Sequence, residues 1–118
     1  MSKITIYGIP NCGSVKKTID WFAKKKIQYV FHNYKKEPID DTILTEWCQQ
    51  VGWEKLVNTK GTTWRGLPEK IKSMPLNEKK AIQLMQQNNS LIKRPVIAFR
   101  KQLLVGFDEV QLSEKIKN

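Results

Sequence analysis

The feature that most restricts this chain is a double change of apolar period between residues 4 and 32. Ile4-Thr5-Ile6-Tyr7 alternates and is rich in β-formers, which predicts a strand. Gly8-Ile9-Pro10-Asn11 breaks it, and from about Gly13 a helical period takes over with Val15, Ile19, Phe22 and Ala23 on one face. Lys24-Lys25-Lys26 suit the helix C-terminus, where cations meet the negative end of the dipole. Residues Gln28 to His32 then alternate again as a second strand. Strand, helix and strand with short joints form a βαβ unit, so the two strands are expected to run parallel.

The middle of the chain reads as helical. Glu37-Pro38-Ile39-Asp40-Asp41 is a turn with an acidic helix cap, and Ile43, Leu44, Trp47, Cys48 and Val51 mark one stripe that Gly52 stops. Trp53 to Val57 suggest a further short turn of helix, and Gly61-Thr62-Thr63-Trp64-Arg65-Gly66 a polar loop without periodicity. Asn77 can cap a helix carrying Ala81, Leu84, Met85 and Asn88. After Lys93-Arg94-Pro95, Val96-Ile97-Ala98-Phe99 reads as a short strand. The tight link Arg100-Lys101-Gln102 then turns it into a hairpin with Leu103-Leu104-Val105. Asp108 caps a last helix with Val110, Leu112 and Ile116 facing inward. The expected order is β-α-β, a helical insertion over about 38–91, then β-β-α. That is the skeleton of a thioredoxin-like α/β fold with a mixed four-stranded sheet, in one domain over residues 1–118.

Composition narrows the function classes. The 118 residues include 21 Lys+Arg and 11 Asp+Glu, a formal net charge of +10. The basic residues are scattered in pairs and triplets, such as Lys16-Lys17, Lys35-Lys36, Lys79-Lys80 and Arg100-Lys101, and no nucleic-acid motif accompanies them. A solvated surface is the expectation, with an acidic partner or a small anion ahead of nucleic acid. No window approaches ~18 uninterrupted apolar residues, so no membrane span is expected. Two cysteines and one histidine fit neither a disulfide scaffold nor a His-based metal site. Met1-Ser2-Lys3-Ile4 leads straight into strand pattern with no apolar signal core, so the expectation is a cytoplasmic protein with reduced thiols, monomeric by default.

The sharpest local feature is Tyr7-Gly8-Ile9-Pro10-Asn11-Cys12-Gly13-Ser14, which puts Cys12 just after a strand and just before a helix. Helix N-termini carry unpaired N–H groups and partial positive charge, which stabilise a thiolate and lower its pKa from about 8.5. Gly8, Pro10 and Gly13 suit a tight strand-to-helix turn with close ligand approach, the Gly13 and Ser14 amides would complete an anion nest, and Asn11 would orient the turn. Residue 15 is valine, so no Cys-x-x-Cys pair supplies a local resolving thiol. Cys48 shares its stripe with Leu44, Trp47 and Val51 and reads as a core residue, and His32 as structural or surface. Arg65 and Arg94 are the candidate anion holders, because a guanidinium forks two hydrogen bonds to an oxyanion or carboxylate. Pro95, before a strand, is a candidate cis-proline.

Cys12 after a short strand, Asn11 before it, Gly61-Thr62-Thr63-Trp64-Arg65 and Lys93-Arg94-Pro95 together resemble the arsenate reductase (ArsC)/Spx family. The branch most similar in Tyr7–Cys12 and Asn58–Arg65 is that of the YffB-like glutathione-dependent thiol reductases. The resemblance implies a nucleophilic cysteine at Cys12, oxyanion-binding arginines at Arg65 and Arg94, and a cis-proline at Pro95. It implies no bound cofactor, glutathione as co-substrate and glutaredoxin as a partner, acting on a disulfide or an arsenate-like oxyanion. The Spx branch implies instead a transcriptional regulator that binds RNA polymerase. The sequence departs from both patterns: Gly106-Phe107 stands where the reductases carry a third arginine, and Val15 replaces the second cysteine of the Spx redox switch.

Overall fold

The N-terminal alternation forms strand β1 (Ile4–Gly8), with Ile4, Ile6 and Gly8 buried and the residues between them half-buried. In this computed structural model, which describes residues 3–116, helix α1 (Gly13–Lys25) follows, and then β2 (Val30–Asn33). β1 and β2 pair in parallel, with Ile6 opposite Phe31. The C-terminal strands β3 (Val96–Phe99) and β4 (Gln102–Val105) pair antiparallel, and β3 runs antiparallel to β1. The sheet order is β2-β1-β3-β4. Parallel β1–β2 and an antiparallel hairpin beside β1 are the directions the sequence led us to expect of a thioredoxin-like mixed sheet. The hairpin turns on Arg100 and Lys101, with Arg100 in the left-handed region (φ 54).

Chain contacts divide the protein into two compact units, residues 1–37 with 94–118, and residues 38–93. In the sheet unit, Ile4, Ile6, Trp21, Phe22, Ile97, Phe99, Leu104, Leu112 and Ile116 form one apolar cluster. Each fully buried large side chain there contributes about 1.5–3 kcal/mol relative to exposure. The inward face of α1 differs from the one the apolar period suggested. Val15, Thr18, Trp21 and Phe22 are buried, while Ile19 is half-buried and Ala23 exposed. Thr18 tolerates burial because its hydroxyl donates to the Ser14 carbonyl at 2.8 Å. In helix α7 (Glu109–Lys115), Leu112 is buried but Val110 is exposed to 68%, so the inward stripe begins at Leu112, two residues later than expected.

The 38–93 unit carries α2 (Asp41–Val51), α3 (Trp53–Leu56), α4 (Thr62–Arg65), α5 (Glu69–Lys72) and α6 (Glu78–Gln87), with a 3-10 turn at Asn89–Leu91. Its long helices begin where the caps stand: Asp40 accepts from the Ile43 amide and Asn77 from the Lys80 amide. Residues 61–66, read from sequence as a loop, contain the single turn α4; one turn is too short to show a period. Asn88 is the exposed C-cap of α6 rather than a member of its buried stripe, and its side chain accepts from the Ser90 amide. Leu44, Trp47, Cys48, Ala81 and Met85 are buried where α2 packs on α6. Asn89 ties the unit's start to its end, accepting from the Ile39 amide at 2.8 Å and donating to the Met85 carbonyl at 2.7 Å.

Candidate active site

Three chain segments of the sheet unit meet at the N-terminus of α1. The first is the turn from β1 into α1. Gly8, the last residue of β1, is buried so close to α1 that a Cβ on it would stand 2.7 Å from Val15 Cγ2. Glycine there lets the first turn of the helix sit directly on the strand end. Cys12 occupies the N-cap position in extended conformation (φ −107, ψ 130) and is half-buried. Gly13 and Ser14 are exposed, and a Cβ at Gly13 would meet nothing, so the fold itself does not demand glycine at that position. Asn11 lies exposed in the preceding turn.

The second segment enters β3. The Arg94–Pro95 peptide is cis. The Pro95 carbonyl accepts from the Gly106 amide at 2.8 Å, and Gly106 has φ 85, a conformation that favours glycine. Arg94 is half-buried and hydrogen-bonds the Cys12 sulfur. The third segment leaves β2: the Tyr34 amide donates to the Gly8 carbonyl at 3.1 Å, and the Tyr34 hydroxyl accepts from Arg94 Nη1 at 3.3 Å.

The electrostatics of the thiol follow from these contacts. Burial pushes the Cys12 pKa up. The Val15 amide, the Arg94 guanidinium, the Ser14 amide and the charge on Arg94 together outweigh it, and the thiol sits below its ordinary value. The amides that lower the thiol's pKa are those of Val15 and Ser14, one residue further along than the Gly13–Ser14 pair expected from sequence, and the Cys12 side chain makes no N-cap hydrogen bond. A thiol whose pKa is lowered gives up its proton more readily than a free one, and here a guanidinium stands beside it.

Among the residues singled out from sequence, the structure brings together Cys12, Gly13, Ser14, Arg94 and Pro95. Arg65 belongs to the other unit, where it is exposed at the end of α4 and its carbonyl accepts from Lys72 Nζ at 3.1 Å. Tyr34 was missed, because its partner is 60 residues away in sequence and no local pattern joins them. Cys48 is buried in α2, and burial with the charges of Glu78 and Glu54 pushes its pKa up to about 11. His32 is half-buried, its Nε2 hydrogen-bonded to the Glu37 carbonyl at 2.6 Å and its ring 4.8 Å from that of Tyr7. Among the described residues, no cluster of three or more His, Cys, Asp or Glu side chains could hold a metal ion, and no helix is long and apolar enough to cross a membrane.

Comparison with known proteins places this geometry among relatives. The sequence model of the ArsC family matches residues 7–115. A protein of Haemophilus influenzae described as uncharacterized is 42% identical over 106 residues, covering 90% of this chain and 92% of the relative. The global transcriptional regulator Spx of Listeria innocua is 29% identical, covering 92% of this chain and 83% of the regulator. Among solved structures, the YffB protein superposes with a TM-score of 0.93 at 39% identity, covering 98% of this chain and 100% of that one. An arsenate reductase (ArsC) related protein of Brucella melitensis gives 0.76 at 40% identity, covering 98% and 96%.

Proposed function

The chain belongs to the ArsC family, and from that premise we propose that it is a thiol-dependent reductase with Cys12 as nucleophile and glutathione as the electron donor. The observation that carries the reading is Cys12 at the N-cap of α1, half-buried beside the Arg94 guanidinium, with its pKa lowered by the Val15 and Ser14 amides and by Arg94. The Cys12 thiolate attacks one sulfur of a disulfide. A Cys12–sulfur bond forms, the substrate S–S bond breaks, and the second sulfur leaves as a thiolate. Glutathione thiolate then attacks the mixed disulfide and frees the Cys12 thiolate. A second glutathione completes the reduction, so two glutathiones are oxidised to one disulfide for each substrate disulfide reduced. An arsenic oxyanion is the other electrophile of this class. An external resolving thiol is needed because residue 15 is valine and the Cys48 thiol is buried and protonated.

In this reading Arg94 holds the carboxylate or oxyanion of the reactant, with Asn11, Gly13 and Ser14 lining the approach. Arg65 joins as a second anion holder on the strength of the family resemblance alone, and the protein works in the cytoplasm with glutathione or a glutaredoxin. The test is glutathione oxidation by the pure protein with a small disulfide or arsenate, wild type against Cys12→Ser. Turnover that disappears in the variant supports the reading; equal rates overturn it. Arg65→Gln in the same assay raises KM for the anionic reactant if Arg65 has that role, and leaves it unchanged if it does not.

A second reading, a transcriptional regulator, is favoured by the Spx relatives, which match over 92% of this chain. It predicts salt-sensitive co-purification with RNA polymerase that survives Cys12→Ser. Failure to co-purify at low salt discards it.

A further inference from the structure

Among the described residues Tyr34 is the bulkiest fully buried side chain, at 1% exposure, yet it carries a polar group into that burial. A buried hydroxyl persists where a hydrogen bond satisfies it, and here the bond comes from Arg94 Nη1 at 3.3 Å. The same guanidinium hydrogen-bonds the Cys12 sulfur. Arg94 is thus held between a phenol and a thiol.

The backbone around Tyr34 is fixed from both sides. Its amide donates to the Gly8 carbonyl at 3.1 Å, which extends the β1–β2 pairing past Asn33 to the strand end from which the Cys12 turn departs. The Asn33 carbonyl accepts from the Lys36 and Glu37 amides, and the Asn33 side chain from the Lys35 amide, so the chain turns sharply just beyond Tyr34. Both the hydroxyl and the sulfur therefore project from segments anchored to the end of β1.

The choice of phenol also has an electrostatic consequence. Burial pushes the Tyr34 pKa up and outweighs the opposing effect of Arg94, so the group stays neutral at physiological pH. A carboxylate in its place would fix the guanidinium but cancel its charge. A neutral acceptor fixes one N–H of the five that arginine offers and leaves the positive charge for the sulfur or for an incoming anion.

We propose that Tyr34 is a positioning residue for the Cys12 chemistry: its buried hydroxyl anchors Arg94 in the orientation that keeps the thiolate reactive. The proposal deepens the reductase reading and rests on it, since a Cys12 with ordinary acidity would leave Tyr34 nothing to support.

The experiment is the pH profile of iodoacetamide alkylation at Cys12 in the 118-residue protein. It compares wild type, Tyr34→Phe, Arg94→Gln and the double variant, each checked for folding by circular dichroism and thermal melting. Tyr34→Phe should move the profile toward higher pH and slow alkylation at about pH 6 by about threefold to tenfold, the size of coupling within one hydrogen-bond network. Arg94→Gln should slow it at least as much, and adding Tyr34→Phe to Arg94→Gln should slow it no further. A Tyr34→Phe profile equal to wild type, or equal slowing in the presence and absence of Arg94, overturns the positioning role. Should Tyr34→Phe melt too early to assay, Tyr34→His keeps a polar ring in place, and a profile shift that vanishes in the Arg94→Gln background decides in the same way. An ordinary wild-type profile would instead defeat the reductase reading itself, so the two failures are distinguishable.

Discussion

The two cysteines of this chain show how one side chain is given opposite chemistry by two regions of a protein. Cys12 stands at the N-cap of a helix, half-buried, with its pKa lowered by the Val15 and Ser14 amides and the Arg94 guanidinium. Cys48 lies buried inside a helix among apolar residues, and burial together with the charges of Glu78 and Glu54 pushes its pKa up to about 11. The first region is built from backbone: a glycine that lets helix and strand meet, a cap residue in extended conformation and a strand end. The second is built from side-chain packing between α2 and α6, in which Cys48 acts as a small apolar residue.

The largest expected effect is on thiol labelling. Native protein at about pH 7 should lose one thiol to alkylation rapidly, and the second about a hundredfold more slowly or only on unfolding. Cys12→Ser should remove the fast phase and leave the slow one intact. Mass spectrometry of the modified peptides checks the assignment, and fast labelling at Cys48 would break the contrast.

A smaller effect separates the two regions by construction. Gly8→Ala forces a methyl against the Val15 side chain and should destabilise the protein by about 1–3 kcal/mol, read by denaturant unfolding. It should also slow Cys12 alkylation while Cys48 stays protected. An unchanged Cys12 rate would mean that the thiol does not depend on the seating of α1.

The smallest effect is on the pH dependence of stability, where the two thiols act with opposite sign. The folded Cys12 pKa is lowered, so its contribution is complete above the unfolded thiol pKa and is lost as pH falls through the folded one. The folded Cys48 pKa is raised from 9.0 to about 11, so its contribution is present below 9.0 and is lost as pH rises through that window. Cys48→Ala should therefore flatten the alkaline decline of stability relative to wild type. Parallel curves would contradict the assignment.

How much of this was legible in the sequence follows the same division. The βαβ unit, the hairpin and the caps Asp40, Asn77 and Asp108 were readable because period and capping are local properties. Cys12 at a helix start, and Arg94 before Pro95, could be found for the same reason. The single-turn helices α4 and α5 were not readable, since four residues show no period. Thr18 and Trp21 displaced Ala23 from the inward face because the packing, and not hydropathy alone, sets which stripe turns in. Tyr34 was invisible because its meaning lies in one contact with Arg94, made through folding across the whole insertion.

The most direct test of the account is the pH profile of alkylation in Cys48→Ala, where Cys12 is the only thiol. The account predicts a midpoint below that of a free thiol, about 8.5, and a return toward it in Arg94→Gln. A midpoint at or above the free-thiol value would contradict it.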